Sequence, residues 1–206
     1  KQDICRKRLE PERLAAARAS DPAETRLVVA EAQLLRDAGQ HAEAFAFLAR
    51  VLESQPDQPE ILYETALAAE KLGYVELLER HLRRLLVLKP DSAQAYNALG
   101  YSFADRNIRL EEAAQLIDKA LSLAPDDPFI LDSKGWVLFR QGKASVALET
   151  LKKAFAQKPD AEIAAHIGEV LWALGRPEEA KAVWRDASKA HPANEALAAT
   201  IKRFLP

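Results

Sequence analysis

The chain has 206 residues, 49% of them hydrophobic, enough to bury a substantial core, and it is rich in Ala and Leu with only seven glycines, which favours an all-α protein. A formal net charge of −2 gives no bulk electrostatic reason to expect nucleic acid, and no apolar run approaches the ~20 residues that span a membrane. The single cysteine, Cys5, excludes an intrachain disulfide.

Residues 1–20 begin at Lys1, carry no signal peptide and read as part of a processed or longer chain, with any targeting signal upstream. Within them Arg8 to Arg18 reads as the second helix of a truncated repeat. Its basic residues interleave with acids, as on a solvated helix face. From Thr25 the sequence repeats itself. Pro56, Pro90, Pro125, Pro159 and Pro192 mark a period of 33 to 35 residues and divide the chain into units 25–58, 59–92, 93–127, 128–160 and 161–194.

Each unit predicts two helices. The first ends at Gly39, Gly73, Asn107, Gly142 or Gly175, residues that accept the left-handed conformation of a helix end. The second stops before the proline, which cannot continue it. Asp21 with Glu24, Asp57 with Glu60, and Asp91 with Gln94 have capping-box spacing, and Asp127 precedes a Pro128 suited to the first helical position. Residues 195–206 predict a C-terminal capping helix, with Leu197, Ile201 and Phe204 on one face.

Numbering each unit from its first helical residue exposes a packing code. Position 8 is small throughout (Ala32, Ala66, Gly100, Gly135, Gly168), so the two helices of a pair can approach closely. Position 20, expected to face it, is Ala44, Ala113, Ala147 and Ala180, with Leu78 as the exception. Position 27 is Ala120, Ala154 and Ala187 in the last three units, but Val51 and Leu85 in the first two.

This pattern resembles the tetratricopeptide repeat family, most fully in "AYNALGYSFADRNIRLEEAAQLIDKALSLAPDD". The resemblance implies a right-handed α-solenoid of tandem antiparallel helix pairs whose first helices line a concave groove. "DDPFILDSKGWVLFRQG" and "IGEVLWALGRPEEA" further resemble the C-terminal repeats of large Gram-negative bacterial tetratricopeptide proteins. Some of those are lipoproteins held at the outer membrane and facing the periplasm, where they act as adaptors for envelope proteins such as proteases. A periplasmic, outer-membrane-associated location is therefore the expectation, with a cytoplasmic one as the alternative.

Nothing in the sequence predicts catalysis, a cofactor or a metal. His41, His81, His166 and His191 fall at unrelated repeat positions without ligand spacing, and no phosphate loop or nucleophile motif is present. A concave face instead predicts protein binding. At 100° per residue, positions 2, 9 and 13 point away from the stripe that packs on the second helix, and positions 5 and 12 lie between. That arithmetic selects Tyr63, Asn97, Tyr101, Asp132, Trp136, Phe139, Arg140, Glu169 and Trp172 as partner-binding residues. Trp136 and Tyr101 are expected to be the most outward, whereas Phe139 and Trp172 could equally pack on neighbouring repeats. Position 5 carries no Lys, which argues against the family's carboxylate clamp. Lys134, at position 7, reads as an edge residue whose stem packs while its ammonium reaches water.

The function these readings favour is a non-catalytic scaffold or adaptor that holds a protein or peptide segment in the groove. The alternatives are a self-assembly or structural module, and the substrate-recruiting arm of a larger enzyme.

Overall fold

A computed structural model describes residues 22–205. The helix expected within residues 8–18 and the cap expected at Asp21 lie outside the described residues. Those described form helices α1 (Pro22–Asp37), α2 (His41–Ser54), α3 (Pro59–Lys71), α4 (Val75–Leu88), α5 (Ala93–Asp105), α6 (Leu110–Leu123), α7 (Pro128–Arg140), α8 (Ala144–Gln157), α9 (Ala161–Ala173), α10 (Pro177–Ala190) and α11 (Glu195–Phe204). The chain divides into two compact units, residues 1–90 and 91–206.

Local rules explain where the helices stop. Gly39, Gly73, Gly142 and Gly175 sit at φ of 73 to 78°, and Asn107 takes the same role at 56°. The extra residue in that connection places Arg109 in the left-handed region as well, at 47°. Asp127 caps α7, its Oδ1 accepting from the backbone N–H groups of Phe129 and Ile130 at 2.8 and 3.3 Å. Asp160 and Asn194 do the same for α9 and α11.

Two expected caps are different in the structure. Gln58, not Asp57, precedes α3, and the Asp57 carboxylate instead accepts two hydrogen bonds from Arg84 at 2.6 and 2.7 Å. A bidentate guanidinium is a stronger partner than an N-terminal amide. At α5 the cap is Ser92, one residue beyond Asp91, accepting from Ala95 N–H at 3.3 Å.

In unit 1–90, Val28 and Ala32 of α1 pack with Ala44, Phe47, Leu48 and Val51 of α2, and Ile61 and Ala68 of α3 join the same cluster. In unit 91–206, Ala147, Leu148, Leu151 and Ala154 of α8 pack with Ile163, Ala164, Ile167 and Val170 of α9, and beyond them with Trp184 of α10 and Leu197 of α11. The glycines at position 8 are held under position 24 of the paired helix. A Cβ on Gly100 would come 2.9 Å from Ile117, one on Gly135 2.6 Å from Leu151, and one on Gly168 2.0 Å from Trp184. Position 24, rather than position 20, supplies the side chain that fills this space. Leu78, Leu85 and Thr65 are buried, the Thr65 hydroxyl donating to the Ile61 carbonyl at 2.7 Å.

Candidate functional site

The first helices of unit 91–206 bring four expected residues and one unexpected residue into contact. Position 5 of α7 is Asp132 and position 6 of α9 is His166. The imidazole Nδ1 donates to both Asp132 carboxylate oxygens, at 2.9 and 3.0 Å. Its Nε2 meets the Tyr101 hydroxyl of α5 at 3.4 Å. Trp136, one turn beyond Asp132, stacks on the same imidazole with centroids 4.2 Å apart and planes 21° from parallel, and touches Phe139 at 5.4 Å.

Burial opposes a charge on His166, but Asp132 beside it, with Glu169 and Glu162 of its own helix, holds its pKa above the ordinary histidine value. The stacked indole face adds cation–π attraction for the protonated ring. Both imidazole nitrogens are occupied, so the group pins three helices together and is not a free base. The Trp136 Nε1 is buried without a hydrogen-bond partner among the described residues, as is the Asn97 Oδ1. An unpaired buried donor costs roughly 1–3 kcal/mol.

The remaining expected residues divide by role. Arg140 donates to the carbonyls of Ala104 and Asp105 at 3.1 and 3.2 Å, placing its cation at the C-terminus of α5 where the helix dipole favours it. Its guanidinium also lies 5.6 Å from the Trp136 ring. Glu169 pairs with Arg203 of α11. Trp172 packs against Trp184 and Phe204, at 6.0 and 5.5 Å. Tyr63 lies in the other unit, partly exposed on α3. Asn97, Tyr101, Phe139, Arg140 and Trp172 are partly exposed. Among the described residues no cluster of His, Cys, Asp or Glu could hold a metal ion, and no helix is long and apolar enough to cross a membrane.

Tetratricopeptide repeat models match residues 29–77, 74–128 and 138–203, most of the chain. The chain belongs to the tetratricopeptide repeat family. A TPR repeat-containing protein of Pseudomonas aeruginosa is 42% identical over 159 residues, covering 77% of this chain and 27% of that protein. Human tetratricopeptide repeat protein 13 is 30% identical over 115 residues, covering 55% of this chain and 13% of its own. The chain thus spans about a quarter or less of these curated relatives. Among solved structures, a thermophilic TPR protein of Thermus thermophilus superposes with a TM-score of 0.79 at 23% identity, over 88% of this chain and 100% of that one. MamA of Desulfovibrio magneticus does so with 0.63 at 17% identity, over 87% and 99%. These likenesses establish the fold, an all-helical TPR solenoid. Proteins of this family are in general protein-interaction modules and typically non-catalytic scaffolds.

Within this TPR fold three expectations about exposure are corrected. Trp136 is 3% exposed, Asp132 6% and Glu169 9%. The next repeat's His166 covers Trp136 and Asp132, and Arg203 of α11 pairs with Glu169. Phe139 touches Trp136 of its own helix and Trp172 packs on Trp184 and Phe204, and both remain partly exposed. Lys134 behaves as an edge residue but is not solitary: its ammonium meets Asp118 at 2.6 Å.

His166 is the residue that sequence reasoning missed. Its signal was present, since Asp132 and His166 are 34 residues apart, one repeat, as are Glu169 and Arg203. Comparing position 5 of one repeat with position 6 of the next finds the first pair.

Proposed function

We propose that the chain is a non-catalytic interaction module that receives an extended or helical segment of a partner protein on the first-helix face of unit 91–206. One observation carries this reading. Asn97, Tyr101, Phe139, Arg140 and Trp172 are partly exposed on the first helices of unit 91–206, and two of them are held by contacts to neighbouring helices, Tyr101 through His166 and Arg140 through the end of α5. Tyr, Trp and Arg are the residue types that dominate binding hot spots, and a contact surface fixed before docking loses less entropy on binding.

The resemblance noted in the sequence extends the proposal to the bacterial envelope, with a protein such as a protease as the partner. The 42% identity to the Pseudomonas TPR protein is in keeping with a bacterial setting.

A photo-crosslinking residue tests the surface directly. Placed at Asn97 or Tyr101 of the full chain in bacterial extract, it is expected to trap a discrete polypeptide. Placed at exposed Lys152 on α8, it is expected to trap none. Equal trapping at both positions, or trapping at Lys152 alone, refutes this surface.

A further inference from the structure

His166 is a buried titratable group, 8% exposed, that joins the first helices of successive repeats. Asp132 of α7 and Tyr101 of α5 take its two ring nitrogens, and the Trp136 indole lies nearly flat on its face. Glu169 and Glu162 of α9 itself add negative charge. Arg203 of α11 pairs with that Glu169, and Arg140 of α7 lies by the Trp136 ring. α8 and α10 share the apolar cluster of α9, through Leu151, Ala154 and Trp184.

The two nitrogens respond differently to a change of charge. An ionised carboxylate only accepts, so Asp132 keeps a hydrogen on Nδ1 whether the ring is charged or neutral. Loss of the proton falls on Nε2, the nitrogen that meets Tyr101. In the charged ring Nε2–H donates to the Tyr101 oxygen. In the neutral ring the bare Nε2 only accepts, from the Tyr101 hydroxyl. The first bond is charge-assisted and roughly twice as strong as the second. At 3.4 Å the contact is already long, and Tyr101 is partly exposed, so water competes for its hydroxyl. The stacked indole loses its cation at the same step.

We propose that His166 is a pH-operated clasp on the first-helix face of unit 91–206: charged, it holds Tyr101 of α5 to α9, and neutral, it stays bound to Asp132 and lets Tyr101 go. The face is fixed at low pH and loosened once the ring gives up its proton. Burial opposes the charge, but Asp132, Glu169 and Glu162 outweigh it, which places the step above the ordinary histidine value near 6.5. The clasp belongs to the face itself and stands whether or not the proposed partner docks there.

The test is an NMR titration of the full chain, isotope-labelled at His and Tyr, from pH 5.5 to pH 9. His166 should titrate above 6.5, with Nε2 losing its proton while Nδ1 keeps one. The Tyr101 ring signals should move with the same midpoint, and NOEs between the Tyr101 and His166 rings should fall about twofold or more on the neutral side. Tyr101→Phe removes only the hydroxyl of a partly exposed side chain and should lower the His166 midpoint. A Tyr101 ring indifferent to the His166 transition overturns the proposal. So does an imidazole that stays charged to pH 9, loss of the proton from Nδ1, or a His166 midpoint unmoved by Tyr101→Phe.

Discussion

Replacing Gly168 by Ala tests the tightest glycine contact among the described residues. Two effects of opposite sign compete. Alanine in a helix interior gains about 1 kcal/mol over glycine in propensity. Against that, the new Cβ would lie 2.0 Å from Trp184 Nε1 and 2.2 Å from Cε2, far inside the roughly 3.5 Å at which such contacts become favourable. The indole has little room to retreat. Its Nε1 donates to the Ala165 carbonyl at 3.2 Å, and its ring packs on Trp172 and Phe204 at 6.0 and 5.3 Å. Overpacking of this kind costs about 3 kcal/mol, the top of its usual range, leaving a net loss of about 2 kcal/mol. For a chain of this length that lowers Tm by roughly 4–8 °C. Urea denaturation at unchanged m-value should show it, while Gly100→Ala, whose Cβ would meet Ile117 at 2.9 Å and the Ala113 carbonyl oxygen at 3.0 Å, should lose less. Adding Trp184→Leu recreates the Ala–Leu pairing of Ala32 with Leu48 and Ala66 with Leu82 at these positions. The double variant should exceed the sum of the singles by more than about 1 kcal/mol. A Gly168→Ala protein as stable as wild type, or strict additivity with Trp184→Leu, refutes the reasoning.

Asp132→Ala strands a buried imidazole and should cost about 3 kcal/mol at pH 6 by urea titration. Because the folded pKa of His166 is raised, the pair's contribution is complete below the ordinary histidine value near 6.5 and fades as pH rises through the folded value. The gap between wild type and Asp132→Ala should therefore narrow as pH rises above about 6.5; a gap that stays constant or widens contradicts the assignment of the charge to His166. Trp136→Ala should cost about 3–5 kcal/mol in the same assay, as for a core aromatic, whereas a groove-lining side chain would cost well under 1 kcal/mol. Asp127→Ala removes the oxygen that accepts from Phe129 and Ile130 and should cost about 1 kcal/mol; an unchanged thermal midpoint would show the cap to be idle.

The parts of the fold governed by local rules were legible in the sequence. Left-handed glycines at Gly39, Gly73, Gly142 and Gly175, and Asn107 in their stead, mark helix ends because backbone sterics leave few alternatives there. The small residues at position 8 announced a close approach, though not which residue makes it, because the register between two helices is set by how large side chains interlock. Caps were less legible. Asp57 has the right spacing, but Arg84, 27 residues away, claims its carboxylate, and a capping motif carries no information about such a competitor.

The candidate site was the least legible part, for a reason particular to stacked repeats. An angle around one helix says which side chains leave its own pair; it does not say that they reach water. In unit 91–206 the next repeat stands in the way, so Trp136 meets His166 and Glu169 meets Arg203. The polar contacts of Asp132 with His166 and of Glu169 with Arg203 each span one period, which makes the relevant unit two successive repeats read in register. On that reading, aromatic and charged residues at positions 5, 6 and 9 fall into two kinds. Those with a complementary residue one repeat away, such as Asp132 with His166, fix repeat against repeat. Asn97, whose Oδ1 is buried without a hydrogen-bond partner among the described residues, shows no such pairing, and the photo-crosslinker belongs there first.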